Sequence, residues 1–183
     1  MADRSDARRN RERLLEVAAA AFAAAAGRSV SLESIARDAG VGIGTLYRHF
    51  PSREALVEAI YRAELADVAA AAGQLLDRHP PKAALRAWMD RYAGFVAAKR
   101  GMAESLQAIF ASGAMHAGQT RDSIVGAVGL LLRAGAEDGS LRPDVQADDV
   151  VSSLVGTFLA SGSPEQTGRM LDLLVAGIAA PRT

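Results

Sequence analysis

The chain has 183 residues, half of them hydrophobic and 23% charged, with 21 basic residues against 21 acidic ones. That balance is too apolar for a disordered chain, and the absence of cysteine excludes disulfides, thiolate metal sites and cysteine nucleophiles. Zero net charge denies the molecule a global basic field for nucleic acid, so any such footprint must be local.

Much of the apolar content is alanine, the best helix former, and no run alternates with period two. The expectation is an all-α fold. The chain opens on a basic cluster, Arg4, Arg8, Arg9, Arg11 and Arg13, within its first thirteen residues, of which those up to about position 8 are polar and expected to fray. A helix is expected over 8–26, with Leu15, Ala18 or Ala19, and Phe22 on its apolar face and Gly27 ending it. The basic start before an apolar stretch at 17–26 has the outline of a signal peptide. Glu12 and Glu16 and the weak hydrophobicity of alanine oppose that reading. No stretch approaches the roughly 18 apolar residues of a membrane span, and the expected location is the cytoplasm.

Ser31 is a good N-cap for a short helix over 32–39, with Glu33 in its first turn and Leu32, Ile35, Ala36 and Ala39 on its apolar face. Gly40 and Val41 make a tight turn. A third helix is expected over 43–49, with Leu46 and Phe50 inward and Pro51 as its stop. Ser52 caps a long fourth helix reaching about residue 77, carrying Leu56, Val57, Ile60, Tyr61 and Leu65. His79, Pro80 and Pro81 break it. Further helices are expected over 82–99, 102–111, 116–137 and 148–160. The last opens on Ser163-Pro164-Glu165-Gln166, a capping box with proline at N1, and closes near Ala179. There is no internal repeat.

Residues 31–50 therefore read as helix, glycine turn, helix, the helix-turn-helix arrangement in which the second helix enters the DNA major groove. With Leu46 and Phe50 turned inward, Thr45, Tyr47, Arg48 and His49 are left to donate to phosphates or base edges. Gly42 and Gly44 remove side-chain bulk, so backbone N–H groups there can approach a phosphate.

This pattern resembles the TetR family of transcriptional repressors. The resemblance rests on Leu15, Ala18, Phe22 and Gly27; on Ser31, Ile35, Ala36, Ala39, Gly40 and Val41; on the run from Gly44 through Thr45, Leu46, Tyr47, Arg48 and His49 to Phe50; and on Ser52, Arg53, Leu56 and Val57. It implies an N-terminal three-helix DNA-binding domain with its arm (1–52), a connecting helix (53–80), and a larger C-terminal helical ligand-binding and dimerisation domain (81–183), about nine helices in all. It further implies that Tyr47, His49 and Arg53 hold phosphates, that Ile43, Gly44 and Thr45 lie closest to the bases, and that Ser31 and Arg37 touch the flanking backbone. The arginines from Arg4 to Arg11 are similar to the arm some members lay along the minor groove. The last two helices would pair with their twin through Leu154, Val155, Phe158, Met170, Leu171, Leu174 and Ile178. The implied partners are a near-palindromic operator duplex, a second copy of the chain and an unknown small-molecule effector, with no cofactor, metal or membrane. Repression by default, relieved by the effector, is the implied activity.

Trp88, Met89, Tyr92, Phe95, Met102, Phe110, Met115 and Phe158 either line an effector pocket or form plain core, with Gln107, His116 and Arg133 as polar anchors if a pocket exists. Other chemistry lacks support. The glycines at 40, 42 and 44 have no preceding strand and no following P-loop lysine. The histidines His49, His79 and His116 lack metal-ligand spacing. The one tight acidic pair, Asp148-Asp149, sits at a helix start, where acids are structurally favoured, so an all-α enzyme lacks converging groups. A helical interaction module that has lost DNA binding is the remaining alternative, opposed by the intact pattern from Ser31 to Arg53.

Overall fold

The computed structural model describes residues 2–25 and 30–181. Over them the chain forms α1 (Ala2–Ala25), α2 (Leu32–Asp38), α3 (Ile43–His49), α4 (Arg53–Leu76), α5 (Pro81–Ala98), a 3-10 turn (Lys99–Met102), α6 (Ala103–Ala111), α7 (Ala117–Glu137), α8 (Ala147–Ala160) and α9 (Pro164–Ile178). The fold class is all-α, and among the described residues the only β pairing is one isolated bridge. No helix is long and apolar enough to cross a membrane.

The described chain divides into two compact units, Met1–Glu64 with Ala97–His116, and Leu65–Val96 with Ala117–Thr183. Contacts therefore cluster across the linear boundaries at 52 and 80: α4 contributes residues to both units, and the 3-10 turn and α6 join the N-terminal helices.

In the first unit, α1 packs on α2, α3 and the 3-10 turn, and α2 packs on α3. Leu14, Ala18, Phe22, Ile35, Leu46 and Leu56 are fully buried there. Two expectations for α1 are corrected. The helix starts at Ala2 rather than near residue 8, because the polar segment carries its own helical pairs: Arg9 with Asp6 one turn back, and Arg8 with Glu12 at 3.7 Å. Its buried seam is Leu14, Ala18, Phe22 and Ala25, whereas Leu15 is half-buried. The alanine run from 18 to 21 satisfies either phase, so only packing chooses between the two leucines. Gly27, the expected stop, lies outside the described residues.

The α2–α3 turn follows from its residues. Ser31 caps α2, its Oγ accepting from the Ser34 N–H at 3.3 Å. At the other end Val41 N donates to Ala36 O at 2.9 Å and Gly40 N to Arg37 O at 3.0 Å, a Schellman closure. It requires the left-handed backbone of Gly40, φ +70°. A Cβ there would meet only an Arg13 guanidinium nitrogen at 3.7 Å, so the penalty for a side chain is in the backbone. Gly40→Ala is expected to cost about 1–2 kcal/mol, read as a lower urea midpoint, with Gly40→Asn costing less.

In the second unit α7 packs on α8 and α8 on α9. Trp88, Leu85 and Met89 of α5 are fully buried, as are Leu131, Leu154 and Leu171. The Trp88 indole N–H donates to the Val68 carbonyl at 2.8 Å. Arg86 ties α5 to α9 through Asp172 Oδ1 at 2.6 Å and the Gly168 carbonyl at 3.3 Å. Arg121 ties α7 to α8 through Asp148 at 2.9 Å and Ser152 at 2.9 Å. That pairing holds the Asp148 carboxyl below its usual range, chiefly through the Arg121 hydrogen bond. Gly135 has no room for a Cβ, which would overlap Leu141. This close approach lets Arg142 N reach the Ile178 carbonyl at 3.0 Å and closes the bridge from Leu141 to Ala179. Half of the expected capping box is present: Ser163 Oγ accepts from Gln166 N at 3.2 Å. The Gln166 side chain instead accepts from Gly162 N at 2.8 Å, one residue before the cap.

Candidate nucleic-acid interface

The second helix of the helix-turn-helix is α3, and its two sides differ sharply. Leu46 and the following Phe50 are 0% and 2% exposed, holding the helix against the core. Tyr47 is 45% and Ile43 37% exposed, side by side one turn apart on the helix. Gly42, Gly44 and Arg48 are also exposed, and Thr45 is half-buried. A Cβ at Gly42 or Gly44 would meet nothing within 4 Å, so the N-terminus of α3 is open to close approach. The helix carries no acid and ends on Arg48 and His49. Ile43, Gly44, Thr45, Tyr47 and Arg48 thus share one accessible, acid-free surface.

The flanking candidates are placed differently. Ser31 is exposed, but its hydroxyl both caps α2 and donates to Glu33 Oε2 at 2.6 Å. That bond holds the Glu33 carboxyl below its usual range and leaves the hydroxyl proton aimed at a carboxylate. Arg37 is exposed beside Asp38 at 3.5 Å, a contact weak enough to yield to a phosphate. Arg53 is part-buried: its Nη1 donates to the Val30 carbonyl at 2.6 Å, and its guanidinium lies 4.9 Å from the centre of the Phe22 ring. It pins the start of α4 to the core, and only its remaining N–H groups are left for a phosphate. His49 is half-buried on the rim of a groove with Arg11. The arginines of the expected arm lie on α1, as helix rather than extended chain.

The effector-pocket candidates fall into both units. Met102, Gln107, Phe110, Met115 and His116 belong to the first, where Phe110 meets Tyr61 edge-on at 5.9 Å and Gln107 and His116 are exposed. Trp88, Met89, Tyr92, Phe95, Arg133 and Phe158 belong to the second. There Tyr92 stacks on Trp88 at 5.3 Å and on Phe95 at 5.9 Å, and meets Phe158 edge-on at 5.5 Å. Arg133 points to solvent. Among the described residues no cluster of three or more His, Asp or Glu could hold a metal ion.

Of the residues expected to face a second copy, Leu154, Leu171 and Ile178 are buried within the protomer. Phe158, Met170 and Leu174 are half-buried and Val155 is 40% exposed. The open apolar positions that sequence reasoning missed are Leu159, 83% exposed, and Leu173, 73% exposed. For Leu159 the one signal is the width of the apolar stripe of α8, in which Val150, Val151, Leu154, Val155, Phe158 and Leu159 cover about half the helix.

Residues 14–60 match the family "Bacterial regulatory proteins, tetR family", and residues 80–180 match "Transcriptional regulator SbtR-like, C-terminal domain". The chain is similar to the TetR transcriptional regulator SCO0520 from Streptomyces coelicolor, with 42% identity over 94% of this chain and 99% of that one and a TM-score of 0.83. A TetR transcription regulatory protein from Mycobacterium vanbaalenii is 32% identical over 97% and 99% of the two chains, with a TM-score of 0.75. The HTH-type transcriptional regulator SAUSA300_2515 of Staphylococcus aureus (strain USA300) is 37% identical over 62 residues, a match spanning 34% of its length. An exposed, acid-free recognition helix on this fold, matched over both halves of the chain, has one consistent reading: the chain belongs to the TetR family of transcriptional regulators, which are DNA-binding proteins and not enzymes.

Proposed function

We propose that the chain is a homodimeric repressor that reads a near-palindromic operator through α3 and releases it when a small molecule occupies the second unit. The observation that carries this reading is the contrast on α3, with Leu46 buried and Tyr47 and Ile43 exposed. Tyr47, Arg48 and His49 hold phosphates, Arg37 flanks them, and Ile43, Gly44 and Thr45 approach base edges. Two copies related by a two-fold axis present two such helices to grooves about 34–36 Å apart. An effector that binds better to a conformation with another spacing lowers operator affinity, typically by about 1–3 kcal/mol of coupling. α4, which contributes to both units, transmits that change.

The second copy is proposed to cover Val155 and Leu159 of α8 and Leu173 of α9, whose exposure is otherwise costly. The test combines selection from a random duplex library with analytical ultracentrifugation. The expected result is enrichment of an inverted repeat by a dimer, with affinity falling steeply as salt rises. Leu159→Glu with Leu173→Glu is expected to give a folded monomer with at least about tenfold weaker binding to the full site. No sequence enrichment, or a double variant that remains dimeric, overturns the reading.

A further inference from the structure

A groove in the first unit, between α1, the end of α3 and α4, has a volume of about 530 Å³, and of its lining the function proposed above uses His49 alone. Its apolar lining is Leu15, Phe50, Ala55 and Ala59, buried or half-buried, with Ala63 exposed; half-buried Glu58 also lines it, and its exposed edge carries Arg11 and Arg62, of which Arg62 neutralises Glu58. The volume lies within the range of about 300–1,000 Å³ usual for small-molecule sites, and a lone phosphate would leave most of it empty. The charges at the edge are unequal. Arg62 is occupied, donating to Glu58 Oε1 at 2.8 Å and to the Ala114 carbonyl at 3.1 Å. Arg11 lies 5.2 Å from the centre of the Phe50 ring, and among the described residues no carboxylate pairs with it. His49 lines the same edge. A cation lacking a carboxylate beside an apolar trough calls for a ligand with one anionic end and a hydrocarbon body.

We infer that this groove binds a small amphipathic carboxylate, its headgroup at Arg11 and His49 and its apolar tail along Leu15, Ala55 and Ala59. The site lies in the DNA-reading unit and is separate from the second unit. His49 belongs both to the groove and to α3, so a bound carboxylate competes with a duplex phosphate for it. That consequence, but not the binding itself, rests on the function proposed above.

Calorimetry on the full chain without DNA tests the site, with decanoate as probe and acetate and decyltrimethylammonium as controls. Decanoate is expected to bind at least about tenfold more tightly than either, because only it supplies both tail and anion. Ala59→Leu, which fills the trough, and Arg11→Gln, a change at an exposed position, are each expected to weaken decanoate at least about tenfold. Circular dichroism confirms that both variants are folded. Decanoate binding unchanged in both variants places the ligand elsewhere and overturns the inference. Acetate binding as tightly as decanoate also overturns it, since the site is then a bare anion contact. Protein that binds decanoate but no duplex keeps the groove and removes the regulator reading; protein that binds duplex but not decanoate does the reverse.

Discussion

Tyr47→Phe is expected to weaken operator binding at least about a hundredfold while leaving the unfolding midpoint unchanged. A hydrogen bond to a charged group contributes about 1.5–3 kcal/mol, and a two-fold dimer loses two of them on one operator. The fold has little to lose, because Tyr47 is 45% exposed and the helix is held by Leu46 behind it. Salt dependence separates this hydroxyl from its charged neighbour. Tyr47 carries no charge, so the variant's log affinity falls with log salt at the wild-type slope. Arg48→Ala removes one phosphate-neutralising cation per protomer and is expected to flatten the slope by about one unit each. The measurement is a fluorescence-anisotropy titration over a salt series. A Tyr47→Phe variant with wild-type affinity shows that the Tyr47 hydroxyl makes no hydrogen bond to the duplex.

Trp88→Ala carries the largest expected stability cost, about 3–5 kcal/mol. The indole is fully buried, it is the stacking partner of Tyr92, and its N–H satisfies the Val68 carbonyl. Truncation therefore leaves both a cavity and a lost hydrogen bond. Trp88→Phe keeps most of the volume and is expected to cost about 1–3 kcal/mol, mainly for the hydrogen bond. Trp88 is the one tryptophan of the chain, so unfolding of these variants is followed by far-ultraviolet circular dichroism in urea. An alanine variant within about 1 kcal/mol of wild type shows that this region collapses around the deletion.

The two experiments probe different parts of the molecule. The first reads an accessible surface proposed to meet a duplex, the second a packed interior. If the Trp88 ring belonged to an effector cavity, Trp88→Phe would alter ligand response beyond its stability cost. If it is plain core, ligand response follows stability alone. That comparison decides between the two roles the aromatic residues of α5 could hold.

Most of the helical layout was legible in the chain itself. Ser31, Ser52 and Ser163 each start a helix where their hydroxyls were expected to cap one, and Gly40 turns where φ must be positive. The short reach of these signals explains their reliability: a cap or a turn is settled by residues within about four positions. The helix-turn-helix was readable for the same reason, because its inner and outer faces alternate within one short helix. Tertiary packing alone decided which leucine of α1 goes inside, since alanine suits either face. It also turned the Arg53 guanidinium inward onto Val30 and Phe22, and drew Leu154 and Leu171 into the core while leaving Leu159 and Leu173 bare. The groove at Arg11 likewise exists only where α1, α3 and α4 converge. Each of these depends on which surfaces, distant in the chain, come to cover one another, and a helix that is apolar on several sides does not encode that choice locally.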